Sequence, residues 1–252
     1  MVRHHFRADD VHDFAWAASP DFIFSEEQGS PGAKIKLYLD PKHAHLKDRY
    51  VRTSTAALTA YEEWYGKYPY SSLSIVVPPE AGKPAGSMEY PTFVTVAAAS
   101  EEKPNHYLEL VLAHEIAHQY WYGMVANNEF EEAWLDESFA TYADEKFLHK
   151  QLGLDTKPFY RPYSPAYNRL AEYSWRYKNR ADYVNNVYIG GKHVLEDIEQ
   201  QIGSGKMQEV MKAYFETWKF RHPGTKDFMD VLEKETGRSW QDYFNSHVYG
   251  KT

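Results

Sequence analysis

The stretch Leu108–Trp121, LELVLAHEIAHQYW, carries two histidines four residues apart on an apolar segment, with a glutamate directly after the first. On an α-helix, positions i and i+4 share a face, so His114 and His118 can both point at one ion. Glu115 lies about 100° further round the helix. It stands beside such an ion rather than aimed at it, which suits a base acting on water. The chain contains no cysteine, which excludes disulfides and thiolate metal sites. Any metal must therefore be held by His, Asp or Glu. A plain amphipathic helix with two imidazoles would look the same over this stretch, so a third ligand has to decide.

Glu137 stands nineteen residues beyond His118, within Glu131–Phe147, EEAWLDESFATYADEKF. Trp134, Leu135, Phe139 and Ala140 give this segment an apolar side for packing on the first helix. Two antiparallel helices can then bring Glu137 to the ion that His114 and His118 face. Two histidines, a glutamate and water make a tetrahedral zinc site with one open position, the catalytic arrangement. Asp136 falls on a different helix face and reads as a solvated carboxylate. Thr141 and Asp144 share the face of Glu137, where one of them can hold a ligand imidazole in its tautomer. His4, His5, His43 and His45 lack partners at ligand spacing and read as surface or strand residues.

The rest of the chain sets the frame. Hydrophobic residues make up 43% of 252, enough for a sizeable core in one large domain. A net charge of -8 argues against a nucleic-acid partner, which would want a basic face. No apolar run reaches the roughly 18 residues of a membrane span. The charged, alternating start MVRHHFRADDVHDFAW does not read as a signal peptide; the compartment stays open, with the chain as it stands read as cytoplasmic and a longer parent chain able to be exported.

Up to about residue 100 the pattern is strand-like: DFIFSEE, KIKLYLD, LSIVVPP and FVTVAAA, with one helix over 46–64 and a solvated turn at SEEQGS. Helical spacing then predicts helices near 105–122, 133–151, 189–201, 206–219, 226–236 and 239–247, with Ser204 and Thr225 as N-caps. The acidic pair Glu131 and Glu132 would favour the N-terminal dipole of the helix it precedes. Residues 152–187, rich in Tyr, Pro and Asn, read as an irregular excursion. The fold class is α+β, a strand-rich lobe (21–100) followed by a mainly helical lobe (101–252).

HEIAH with WLDESFA at this spacing resembles the gluzincin metallopeptidases, specifically the M1 family of zinc aminopeptidases. GSMEY, Gly86–Tyr90, is similar to that family's Gly-x-Met-Glu-Asn signature and lies upstream of the zinc helix. VYIGGKHVLEDIEQQIG resembles the segment carrying the family's transition-state tyrosine, which places it at Tyr188. The similarity runs nearly the whole chain, through YFETWKFRHPGTKDFMDVLEKETG. It implies a thermolysin-like catalytic domain over residues 1–252, with 1–20 as the tail of an N-terminal β-sandwich domain. Family members usually carry flanking N- and C-terminal domains, so the resemblance implies either a fragment of a longer chain or a naturally minimal form. Two positions depart from the family: Tyr90 replaces the usual Asn, and Gly190 replaces the lysine of the Tyr-x-Lys-Gly pattern.

The resemblance implies one zinc per chain on His114, His118 and Glu137, with Glu115 as base and Tyr188 as hydrogen-bond donor to the oxyanion. Glu89 would bind the substrate's ammonium, with Gly86, Ser87 and Met88 alongside a peptide that has a free N-terminus. Backbone groups at Gly86 and Ser87 would pair with that peptide as an added strand. Tyr183 is the alternative to Tyr188. Two other readings stay open, an endopeptidase with an open cleft and a non-catalytic metal-binding scaffold.

Overall fold

A hairpin opens the strand-rich lobe. In the computed structural model, which describes residues 3–96, 106–157 and 169–250, β1 (Ile23–Gln28) runs antiparallel to β2 (Lys34–Leu39). The sheet order is β1-β2-β3-β4, with β3 (Ser72–Val77) and β4 (Phe93–Thr95) parallel to β2. SEEQ is thus strand rather than turn: Ser25–Gln28 pair with Leu37–Lys34, and the chain turns only at Gly29–Ala33. Of FVTVAAA only Phe93–Thr95 is strand, and Ala97–Ala99 lie outside the described residues.

Parallel β2 and β3 need a crossover, and α1 (Lys47–Trp64) supplies it. Its buried residues Tyr50, Ser54, Ala57, Leu58, Tyr61 and Trp64 recur at helical spacing, as a single packing face requires. Ile35, Leu37 and Leu39 of β2 and Leu73, Ile75 and Val77 of β3 are buried in the same core.

α2 (Tyr107–Ala117) is apolar nearly all round and sits between α1 and α4 (Trp134–Leu152). Two polar ties lock it to α1. The Tyr61 hydroxyl donates to Ala113 O at 3.0 Å, and the Arg49 guanidinium forks onto both oxygens of buried Glu109 at 2.5 Å each. α2 ends earlier than its sequence spacing predicts. His118 is its C-cap, and the chain turns so that Tyr122 N donates to Val125 O and Gly123 N to His118 O. His118 keeps helical backbone angles and still donates to His114 O, so the i, i+4 relation survives.

The remaining helices are α3 (Glu129–Glu132), α5 (Arg180–Tyr183), α6 (Gly191–Ile202), α7 (Ser204–Trp218), α8 (Thr225–Thr236) and α9 (Gln241–His247). The stretch before α6 is not irregular throughout. From Arg180 it is helical, and Val184–Gly190 forms a π-helical turn that leads into α6.

Both expected N-caps also differ. Gly203 and Gly224 occupy the cap positions, and Ser204 and Thr225 are the first helical residues. Thr225 Oγ1 instead accepts from the buried Trp134 indole at 2.8 Å. The orphan amides of α8 are met by carboxylates: Thr225 N donates to Glu132 and Gly224 N to Asp227. Glu132 therefore serves the N-terminus of α8, not that of the helix it precedes. No described helix is long and apolar enough to cross a membrane.

Candidate metal centre

α2 and α4 pack so that three donor atoms converge. His114 Nε2 and His118 Nε2 lie 3.0 Å apart, and Glu137 Oε2 lies 3.2 and 3.3 Å from them. Donors held about 2.0–2.1 Å from a tetrahedral zinc lie about 3.3 Å from one another, so the triangle fits that ion.

The other ring nitrogens are already taken. His114 Nδ1 lies 2.8 Å from Asp144 Oδ2, and His118 Nδ1 lies 2.5 Å from Asp136 Oδ1 and 3.2 Å from Trp121 O. With the Nδ1–H of His114 given to Asp144 and that of His118 to Trp121 O beside the Asp136 carboxylate, each neutral imidazole presents a bare lone pair at Nε2. Two lone pairs and a carboxylate oxygen then face one point with no donor among them, which is a cation site. Burial disfavours both imidazolium forms, yet Asp144 and Glu137 raise His114 to about 10, and Asp136 and Glu137 hold His118 well above its usual range. Burial also acts against the Glu137 charge, but the two imidazoles hold that carboxyl far below the usual range. The cluster gathers positive charge, as protons or as metal.

Asp136 is the main departure from the sequence expectation. It is 1% exposed and touches His118, so it is no solvated carboxylate. Of the two candidates on the Glu137 face, Asp144 holds the imidazole, while the Thr141 hydroxyl donates to its own helix at Glu137 O. His43 is only half-exposed and sits 3.2 Å from Asp40, away from this cluster.

Glu115 is 5% exposed, and no described residue hydrogen-bonds its carboxylate. Burial lifts its carboxyl to about 8 against the pull of the two imidazoles. A bound cation would draw it back down. The result is a carboxylate beside the cluster with no hydrogen-bond partner among the described residues.

Tyr188 arrives on the π-helical turn, a feature common at functional sites. Its ring stacks on His114, with centroids 5.8 Å apart, and its hydroxyl donates to Glu137 Oε1, the oxygen outside the triangle. Burial and that carboxylate push the hydroxyl far above the usual range, so it remains a donor. Tyr183 packs edge-on behind it at 6.0 Å.

Ser138, next to Glu137, donates to Val187 O, next to Tyr188, at 2.5 Å, and Gly191 lets the two backbones approach this closely. A Cβ on Gly191 would stand 1.8 Å from Ser138 Oγ. Gly191→Ala is expected to lower stability by about 1–3 kcal/mol, read by denaturant unfolding. An unchanged midpoint would mean that this contact yields freely.

GSMEY lies at the open side of β4. Met88 N and O both pair with Thr95, and Gly86, at φ +75, offers its carbonyl to the Thr95 hydroxyl at 3.3 Å. The backbone of Met88 is therefore already used by the sheet. Gln119, which follows the second histidine and is 1% exposed, ties this stretch to the α2 end. Its amide donates to Glu89 O and Tyr90 O, both at 3.2 Å, and accepts from Thr92 N at 2.7 Å. Half-buried Glu89 consequently presents a carboxylate oxygen within 4.8 Å of a His118 ring nitrogen and an Asp136 oxygen.

The chain is similar to known proteins in sequence and in fold. Leucine aminopeptidase 2-1 of Meyerozyma guilliermondii is 28% identical over 220 residues, covering 80% of this chain and 35% of its own length. Glutamyl aminopeptidase of Rattus norvegicus is 23% identical over 241 residues, covering 86% of this chain and 25% of its own. The chain thus spans about a third or less of these relatives. In fold, the M1 zinc metallopeptidase of Deinococcus radiodurans matches with a TM-score of 0.69 at 18% identity, over 92% of this chain and 52% of that one. Residues 50–247 match the Peptidase family M1 domain, and the chain belongs to that family.

Proposed function

We propose that the chain is a zinc-dependent aminopeptidase domain that removes the N-terminal residue of peptides. The observation that carries this reading is the triangle of His114, His118 and Glu137 donor atoms, with Glu115 beside it and without a hydrogen-bond partner among the described residues. These three residues would hold one zinc. When bound, that ion supplies Lewis acidity toward the scissile carbonyl and the attacking water. Glu115 takes a proton from the water and passes it to the leaving amine. Tyr188 turns its hydroxyl from Glu137 to the developing oxyanion. A peptide lies along Gly86–Ser87 with its ammonium against Glu89.

Tyr188→Phe removes one hydroxyl and little volume. Turnover is expected to fall with little change in KM, by roughly 3 kcal/mol at most, while metal content persists. A near-normal rate would pass the role to another donor.

The test of the function itself uses Glu89. An ammonium entering a partly dry cleft needs a carboxylate partner. Glu89→Gln is expected to weaken cleavage of free-amine peptides by about 2–4 kcal/mol, and to matter far less for N-acetylated ones. Equal cutting of free and acetylated peptides by the unmutated chain, unaffected by Glu89→Gln, would establish an endopeptidase instead.

A further inference from the structure

A cavity of about 480 Å³ opens beside the metal cluster, and Tyr188 is one of its walls. Tyr177, Tyr183 and Val184 give it apolar sides, and Asn179 and Arg180 stand at its edge. The Tyr188 hydroxyl also touches Glu137, so this one side chain joins the cavity to the cluster.

Among the described residues Arg180 is the only cation lining the cavity, and it forms no ion pair with any of them. The nearby carboxylates are committed elsewhere. Asp182 accepts from Lys178 N and from Asn186 Nδ2, both at 3.0 Å, and Glu172 pairs with Arg169 and Arg176 at 3.3 Å. The carboxylates of Glu137, Asp136 and Glu129 act on Tyr183 in the same wall, and the chain carries a net charge of -8, so the Arg180 guanidinium is a local exception in sign. A guanidinium presents a planar fork of donors that matches a carboxylate. Among the groups a peptide carries, only a carboxylate has that charge and shape.

We infer that this cavity is a carboxylate subsite, in which Arg180 selects peptides bearing an acidic group next to the bond being cut. The inference rests on the peptidase reading above. The carboxylate can be an Asp or Glu side chain or the free C-terminus of a dipeptide, and chemistry alone treats these alike.

Calorimetry on zinc-loaded Glu115→Gln chain, which is expected to cut peptides about 100-fold or more slowly than the unmutated chain, separates the cases. The peptides are Ala-Ala, Ala-Glu-NH2, Glu-Ala-NH2 and the neutral reference Ala-Ala-NH2. At least one of the first three is expected to bind about tenfold or more tighter than the reference, and which one does identifies the source. Adding Arg180→Gln should abolish that ratio, and Arg180→Lys should restore only part of it, because an ammonium lacks the fork. A ratio near one for all three peptides, or a ratio that survives Arg180→Gln, overturns the subsite. Turnover of Ala-Ala-NH2 by the unmutated chain reports separately on the peptidase reading, so the two can fail independently.

Discussion

Glu115→Gln is expected to leave the zinc content unchanged while turnover falls by a factor on the order of 100 or more, about 2.7 kcal/mol of transition-state stabilisation. The substitution keeps shape and volume and removes only the proton acceptor. Zinc should stay because the carboxylate of Glu115 is no part of the donor triangle. Stability should hold or rise, since a buried carboxylate without a hydrogen-bond partner among the described residues is replaced by a neutral amide. Metal analysis, thermal unfolding and turnover on one preparation check all three. Parallel loss of zinc and turnover would show that Glu115 coordinates or supports the metal, and the base would have to be sought elsewhere.

The parts of the site legible in the sequence are those set by one helix period. His114 and His118 fall together because their spacing is one turn, and Glu137 with Asp144 because theirs is two. The apolar residues Trp134, Leu135 and Phe139 show that α4 must be buried, hence close to α2.

Period alone misleads at Asp136. It correctly places this residue off the Glu137 face, but that face is not solvent. His118 closes α2 as its C-cap and turns Nδ1 toward it. The apolar flanks of Asp136 were the available signal, since a carboxylate inside such a run must be paired. Gln119 left no comparable trace, because its partners are backbone groups of Glu89, Tyr90 and Thr92, far upstream. The π-helical turn at Val184–Gly190 breaks the helical spacing, so 180–187 read as irregular and the helix reads as starting only at 189, just past Tyr188. Tyr188 itself was legible only through its motif, one tyrosine among 21.

His118→Ala is expected to remove the metal and the activity together, and to destabilise the chain as well. Two protein ligands remain, too few for a tight catalytic zinc site. The second effect follows from Asp136, which is 1% exposed and loses the imidazole at 2.5 Å. A buried carboxylate stripped of its partner costs about 3–5 kcal/mol. Asp136→Asn separates the two effects. It keeps three ligands but weakens the hold on the His118 tautomer, and is expected to lower zinc affinity about 10–100-fold. His118→Ala combined with Asp136→Asn should recover part of the lost stability without recovering metal, because the unpaired charge is gone while the ligand is still missing. Equilibrium dialysis against zinc and denaturant unfolding of the three variants provide the readings. A full zinc equivalent on His118→Ala would refute the donor triangle. Unchanged zinc affinity in Asp136→Asn would reduce the carboxylate behind His118 to packing.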